Sequence, residues 1–535
     1  MTRANVFSGK AADLNNWLCV LCLVLLPCFA QAQLHHDLEV TLNPGQHRLE
    51  VNDTLSWSAG APAALEFSLH AALSVETTTP GAQLTELTAG TDPAALKSRR
   101  YRVTLPAGES QLVLRYAGAI QHALQQRGEE YARSFSSTRG TIAGQGVFLA
   151  GSSDWYPQVD GALMTFDLHL RLPGDWYGVS QGARVTREAF SGRVQEHWRC
   201  ISPQEEIYLI AGRFSEYRQP ADAVQAMVFL READPALAQK YLDATVDYVR
   251  LYADLIGPYP YTKFALVENF WETGYGMPSF TLLGPRVIRF PFILHSSYPH
   301  EILHNWWGNG VYIDYDSGNW AEGLTSYLAD HLIKEQRGQG VSYRRTALQK
   351  YTDYVGQQQD LPLTAFRARH SASSEAVGYG KTLMLFHMLR REIGDETFIR
   401  GLRSLYAQYR FRLADWDAVQ RVFSAAAQRP LDDFFAQWVQ RPGAPTLGIS
   451  GVTVSAADNG YRLSAVIEQT QPDDFIPGYP EDISCDGLGN EIRPAGNPLG
   501  QKQGKRKPET VDDPDQCLGR DGKRIGLQEG KCTDN

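Results

Sequence analysis

The sequence predicts an α+β multidomain protein: a β-sandwich domain, then a mainly α-helical domain, then a short C-terminal β segment. Two changes of pattern carry this reading. Between residues 33 and 215 apolar and polar residues alternate in short runs, among them Leu38-Glu39-Val40-Thr41-Leu42, Tyr101-Arg102-Val103-Thr104-Leu105 and Leu112-Val113-Leu114-Arg115-Tyr116, with Gly, Pro and Asp between them. Period-two runs of this kind suit strands with one buried face. Around Ala221 the period changes to helical. Ala238 to Leu255 reads as an amphipathic helix, and helical segments dominate to about Ala436, which places a second domain at 216–445. Leu447 to Gln469 supplies two further strands within a segment 446–470. From 471 to 535 Asp, Gly, Pro and Lys abound while apolar positions are few, which predicts a largely disordered tail. At 535 residues and 43% hydrophobic content the chain can bury substantial cores.

Within the helical domain, His300-Glu301-Ile302-Leu303-His304 places two imidazoles four positions apart with a glutamate between them. Positions i and i+4 share one helix face, so both imidazoles can grip a single cation, while Glu301 reaches a water beside it. Ser296, Ser297 and Pro299 upstream read as a helix start with a cap and a first-turn proline. After the polar run Asp314, Asp316, Ser317, Gly318 and Asn319, a second helix is predicted from Trp320, Leu324, Tyr327, Leu328 and Leu332. Glu322 in its first turn is the natural third ligand if the two helices pack antiparallel. Asn319 and Glu322 also satisfy a capping-box pattern, in which the glutamate serves only the backbone. Asp314 and Asp316 are weaker rivals, read more simply as solvated turn residues. A catalytic zinc site needs three protein ligands and one open position, which His300, His304 and Glu322 would supply.

The stretch HEILHNWWGN, His300 to Asn309, together with Trp320-Ala321-Glu322-Gly323, resembles the zinc signature of the aminopeptidase N family of gluzincin metallopeptidases, which includes leukotriene A-four hydrolase. Gly257-Pro258-Tyr259-Pro260-Tyr261 is similar to the opening of that family's catalytic domain, and Gln437-Trp438-Val439 with Arg441-Pro442-Gly443-Ala444-Pro445 to its end. The resemblance covers roughly residues 145 to 470. It implies a thermolysin-like catalytic domain behind a β-domain, one Zn2+ per chain on His300, His304 and Glu322, and a peptide or protein substrate. It further implies that Glu301 acts as general base and then as proton donor to the leaving amine. Tyr379, in Gly378-Tyr379-Gly380-Lys381, occupies the place of the tyrosine whose hydroxyl stabilises the oxyanion. Two departures stand out. The seventeen residues Asn305 to Ala321 make the spacer one residue shorter than the family pattern. Where the family has Gly-x-Met-Glu-Asn, this chain reads Gly274-Tyr275-Gly276-Met277-Pro278-Ser279, so Pro278 replaces the glutamate that pairs with a substrate's α-ammonium. Tyr275, Gly276 and Met277 are expected to line the peptide cleft; Glu268 or Glu272 could supply a substitute carboxylate from a rearranged loop, though each reads more simply as a solvated or ion-paired surface glutamate.

At the N-terminus, Arg3 and Lys10 precede an apolar stretch from Trp17 to Ala30 and the small-x-small sequence Ala30-Gln31-Ala32. Residues 1–32 read as a secretory signal peptide cleaved near Ala32, giving an exported, periplasmic or secreted protein without stable membrane insertion. The net charge of −9 is spread along the chain, and the short basic run Lys502 to Lys507 lacks interleaved aromatics, which excludes a nucleic-acid partner. Cys200, Cys485, Cys517 and Cys532 remain in the mature chain with their pairing open. The sequence therefore points to an exported zinc metallopeptidase, aminopeptidase-like with an altered N-terminus-recognition motif. The competing reading is a catalytically weak or inactive peptide-binding module on the same fold.

Overall fold

The structure is a computed structural model that describes residues 34–475, apart from residue 59 and the segments 88–96, 127–135, 357–359, 458–459 and 472–474. Beyond 475 it describes the backbone of five short strands, Asp482–Ser484, Arg493–Ala495, Glu509–Asp512, Ile525–Gln528 and Lys531–Asp534. The signal peptide expected over 1–32 lies outside the described residues, as do Cys485 and Cys517 and most of the tail expected to be disordered.

The N-terminal part is built on a seven-stranded sheet. Its spatial order is Ala183–Phe190, Arg193–Gln204, Met164–Pro173, Leu34–Asn43, Arg48–Trp57, Gln111–Ala119 and Leu73–Thr77. Alternation decides its faces: Leu38, Val40, Leu168, Leu170 and Trp198 are buried, while Asp37, Glu39 and Arg199 between them face outward. A three-stranded sheet (Ala64–His70, Ser98–Thr104, Gln83–Glu86) and a four-stranded one (Thr141–Ala143, Gly146–Leu149, Leu209–Gly212, Tyr177–Val179) close on the same apolar core.

A five-stranded mixed sheet follows, ordered Ser215–Ala221, Val224–Leu230, Lys263–Glu268, Phe280–Leu283 and Gly274–Met277, with the last strand at the edge. This corrects the expectation that helix begins near Ala221. The first helix, α1, runs Pro235–Leu255, with Asp234 Oδ1 accepting from Leu237 N at 2.9 Å as its cap. The run Val224-Gln225-Ala226-Met227-Val228-Phe229-Leu230 shows no clean alternation because both faces of this sheet are covered. Met227 and Phe229 pack into the β-core, while Ala226, Val228 and Leu230 pack into the helical core.

The other helices build the core on the second face: α2 (Ser297–Leu303), α3 (Ala321–Ser326), α4 (Leu332–Gln336), α5 (Gly340–Tyr354), α6 (Ala372–Glu375), α7 (Thr382–Ile393), α8 (Asp395–Tyr409), α9 (Trp416–Ala427) and the short α10 (Asp432–Phe435). A π-helical turn, Tyr327–His331, joins α3 to α4, and another, Ala376–Lys381, joins α6 to α7. Trp306, Trp307 and Trp320 are fully buried behind α2. Trp306 Nε1 donates to Gly257 O at 2.9 Å and Trp320 Nε1 to Ala414 O at 2.8 Å. Removing any one of these rings would cost about 3–5 kcal/mol. The strands Leu447–Ala457 and Gly460–Gln469 pair as expected. Among the described residues no helix is long and apolar enough to cross a membrane.

Candidate active site

α2 carries His300, Glu301 and His304, and its start differs from the sequence expectation in one detail. Ser296 Oγ donates to Phe292 O at 3.0 Å and caps nothing. The helix is held instead by burial of Tyr298, Ile302 and Leu303, and by a 2.5 Å hydrogen bond between Tyr298 Oη and Thr245 Oγ1 of α1. At its other end Asn305 Oδ1 accepts Ser279 N at 2.6 Å and Asn305 Nδ2 donates to Ile302 O at 3.0 Å. The buried Asn305 thus ties the end of α2 to the turn that follows the edge strand Gly274–Met277.

Glu322 lies in the first turn of α3, and Asn319 Oδ1 accepts the backbone N–H groups of Ala321 and Glu322 at 3.1 and 3.4 Å. The carboxylate does not turn back to complete a capping box. Glu322 Oε2 faces His300 Nε2 at 3.5 Å and His304 Nε2 at 3.4 Å, and one ligand atom from each of the three residues falls within 4.8 Å of the others. The other nitrogen of each ring is engaged: His300 Nδ1 pairs with Asp330 Oδ2 at 3.0 Å, and His304 Nδ1 meets Trp307 O at 3.0 Å. Such partners fix each tautomer so that Nε2 carries the lone pair toward the centre. Glu322 Oε2 itself is buried without a hydrogen bond. Two imidazoles and a carboxylate with a buried, unsatisfied oxygen match the donor set of a tetrahedral zinc site with one position left open.

Without an ion, the imidazoles and Glu322 hold one another as charged partners. Burial works against a charged His300, yet Asp330 and Glu322 hold its pKa well above the ordinary value. Burial likewise opposes ionisation of Glu322, but His304 and His300 pull its carboxyl well below the usual range. Glu301 goes the other way: burial pushes it up, only partly offset by the two imidazoles. A carboxylate raised in this sense is a better proton acceptor than one in water. Burial and then the neighbouring Glu322 carboxylate raise the Tyr379 hydroxyl well above its ordinary value, so it stays a donor. Tyr379 sits in the π turn between α6 and α7, its ring 6.3 Å from that of His300 and nearly parallel to it at 14°. Single π turns inside helices recur at functional sites.

The edge strand supplies the opposite wall. Gly276 passes so close that a methyl group on it would lie 2.4 Å from Glu301 Oε2. Tyr275 is half-buried, and its hydroxyl donates to Ser136 O at 3.3 Å. The Met277 side chain is buried in the β-core, so this residue offers the cleft only its backbone. Of the two candidate substitute carboxylates, Glu268 is fully engaged, while Glu272 has one oxygen, Oε2, buried beside Gly284 without a hydrogen bond. Glu268 is 2% exposed, pairs with Arg289 Nη1 at 2.7 Å and accepts Arg231 N at 2.8 Å. Glu272 Oε1 accepts Arg286 N at 3.1 Å. Asp314 and Asp316 remain in the turn before α3, where Asp314 Oδ1 accepts Asp316 N at 3.0 Å. Asp330 and Asn305 were not singled out from the sequence. Asp330 carried a signal, a lone acid in the otherwise apolar run Tyr327-Leu328-Ala329, whereas Asn305 carried none.

Residues 296–438 match the Peptidase family M1 domain. The chain is 24% identical over 372 residues to aminopeptidase M1-D of Oryza sativa subsp. japonica, a match covering 64% of this chain and 42% of that relative. It is also 24% identical over 157 residues to aminopeptidase N of Lactococcus lactis subsp. lactis, covering 28% of this chain and 18% of that one. The chain thus matches less than half the length of these curated relatives. A solved M1 zinc metallopeptidase from Deinococcus radiodurans, a point mutant bound to a Tyr-Ser-Ala substrate, superposes with a TM-score of 0.59 at 20% identity, covering 78% of this chain and 95% of that one. The unsubstituted Deinococcus enzyme gives 0.58 at 21% identity, covering 78% and 94%. At that identity the likeness establishes the two-domain fold.

Proposed function

The chain belongs to the aminopeptidase N family as a divergent member, and on that premise we propose that it is a zinc-dependent metallopeptidase that hydrolyses peptide bonds. The observation that carries the reading is the convergence of His300 Nε2, His304 Nε2 and Glu322 Oε2, with Glu301 beside them and Tyr379 across the site. A zinc ion held by those three groups supplies a water acidified to near neutrality and a polarised scissile carbonyl. Glu301 takes the proton of the attacking water and returns it to the nitrogen of the breaking amide bond, so the amine leaves neutral. The Tyr379 O–H donates to the oxygen that gains charge in the tetrahedral transition state, a contribution of about 10²–10³ in rate. Asp330 and the Trp307 carbonyl hold the imidazoles in orientation throughout.

The N-terminus requirement of an aminopeptidase is relaxed in this reading. Pro278 offers neither a carboxylate for a substrate ammonium nor an N–H for strand pairing. Glu268 is paired with Arg289, and Glu272 turns its carboxylate toward Gly284 and the Arg286 backbone N–H. We place the mature enzyme outside the cytoplasm after cleavage near Ala32, and N-terminal sequencing of the protein from the exported fraction tests that assignment.

Matched peptides with free and acetylated N-termini, assayed with zinc-loaded protein, test the function. Cleavage of both, with kcat for Glu301→Gln lowered by about 10²–10⁴ at full zinc content, is the expected result. A zinc-loaded wild type that binds peptides but turns over no faster than Glu301→Gln would make the protein a peptide-binding module instead.

A further inference from the structure

A second group of metal-ligating side chains stands on the outer face of the seven-stranded sheet, on strands that carry none of the residues of the cleft. Three neighbouring strands bring it together. Leu34–Asn43 runs parallel to Met164–Pro173 with Asp37 opposite Asp167, and Met164–Pro173 runs antiparallel to Arg193–Gln204 with His169 opposite His197. Each of these residues stands on the outward set of its strand, since Leu38, Leu168 and Trp198 between them are buried. Directly opposed residues of an antiparallel pair hold their Cβ atoms about 5 Å apart, and residues two positions along share the face. The imidazoles of His169 and His197 accordingly stack with centroids 4.2 Å apart and planes at 18°. His197 Nε2 meets Asp167 Oδ1, and His169 Nε2 lies 3.4 Å from Asp37 Oδ1. One ligand atom each from Asp167, His169 and His197 falls within 4.8 Å of the others, the same closeness shown by the catalytic trio.

We propose that Asp167, His169 and His197 form a second, surface binding site for a divalent transition-metal ion. Two neutral imidazoles and a carboxylate suit zinc, copper(II) or nickel(II), with water completing the coordination because the site is open to solvent. His169 has 44% of its side chain exposed, so an ion arrives without any opening of the fold. Asp37 and His35 flank the site: His35 Nε2 lies 3.6 Å from Asp167 Oδ2, close enough to join the shell or hold the carboxylate in place. One group opposes binding. Arg199 Nε donates to Asp167 Oδ1 at 2.7 Å and must give up that oxygen, which holds the affinity below that of the buried catalytic trio.

Equilibrium dialysis of the full-length chain against zinc(II) alone, and against copper(II) alone, reads this directly. Wild type should bind a second, weaker equivalent beyond the catalytic one. The double substitution His169→Gln and His197→Gln should weaken that equivalent by at least about tenfold, with peptidase activity per catalytic zinc unchanged. Arg199→Gln should tighten it several-fold, a gain that no loss of folding imitates. With copper(II), the electron paramagnetic resonance spectrum of the second equivalent should show coupling to two imidazole nitrogens. A second equivalent that survives the double substitution, or no second equivalent in wild type and in Arg199→Gln, would overturn the site.

Discussion

Gly276→Ala separates catalysis from folding in this protein. The added methyl carbon would stand 2.4 Å from Glu301 Oε2, with His304 Cδ2 next at 3.5 Å. The second distance is an ordinary contact, so His304 and zinc binding stay undisturbed. The first is too short to persist, and the group that yields is the free end of a glutamate side chain rather than backbone. A rotation of Glu301 that moves its carboxylate by roughly 0.6–1 Å relieves the clash at little cost in stability, but a displacement of that size can cost about 10² in rate when the moved group does the chemistry. Gly276 lies in an exposed edge strand outside the left-handed region, so alanine adds no backbone strain. The expected outcome is an unchanged Tm and zinc content, with kcat lowered by about 100-fold and KM altered far less. Steady-state kinetics on one peptide, with metal content by atomic absorption and Tm by calorimetry, checks all three. A variant with kcat within a few-fold of wild type would refute both the close approach of the edge strand and the assignment of Glu301 as base.

Tyr379→Phe should lower kcat by about 10²–10³ and leave KM nearly unchanged, measured in the same assay, since its hydroxyl acts on charge that develops only in the transition state. Asp330→Ala frees His300 Nδ1 and should weaken zinc binding by about 10–100-fold, read by competition with a chelator. His70 provides a pH test outside the site. Its Nδ1 accepts Ala72 N at 3.1 Å and its Nε2 meets His122 Nε2 at 2.8 Å, and burial, then His122, lowers its pKa to about 4. Because the folded value lies below the unfolded one, its contribution is complete above the unfolded pKa near 6.5 and is lost as pH falls toward 4, up to about 3 kcal/mol. Denaturant titrations at about pH 7.5 and pH 4.5 should therefore show a smaller acid loss for His70→Gln than for wild type.

The convergence of His300, His304 and Glu322 was legible because its spacing is a local, helical property: the two histidines need only one helix face, and Glu322 only the start of the next helix. The β-strands were legible for the same reason wherever one face meets water, as in Leu38 to Leu42. Sequence reading failed where tertiary structure supplies the pattern. Val224 to Leu230 is covered on both faces and so lost the alternation that marks a strand. The π turns at 327–331 and 376–381 leave no periodic trace, yet they set where Asp330 and Tyr379 stand. Asn305 acts through contacts with Ser279, 26 residues away in sequence, and nothing near it in the chain announces that role.

The shortened spacer between His304 and Glu322 shows how a divergent chain keeps this geometry. Both ends of the spacer are pinned independently of its length. At the first, Asn309 N donates to His304 O at 3.0 Å and Val311 N to Trp306 O at 2.8 Å. At the second, Asn319 N donates to Phe366 O at 2.8 Å and Asn319 Nδ2 to Arg367 O at 3.0 Å, while Gly318 has φ +114° and leaves no room for a side chain against Leu363 O. Between these anchors Tyr312-Ile313 pairs with Leu413-Ala414, and only the turn Asp314 to Ser317 bridges to the next anchor. A residue lost from that turn is absorbed where nothing catalytic hangs on it, so the imidazoles and Glu322 still meet. The edge strand has no such slack. Pro278 and Ser279 are buried, Ser279 has φ +68°, its N–H is held by Asn305, and its carbonyl and hydroxyl take the buried Lys263 side-chain nitrogen at 3.0 and 2.7 Å. A glutamate at 278 would have to fit that packed turn. Any side chain placed at 278 therefore meets a turn fixed by Asn305 and Lys263, and a single substitution there disturbs the wall that faces Glu301.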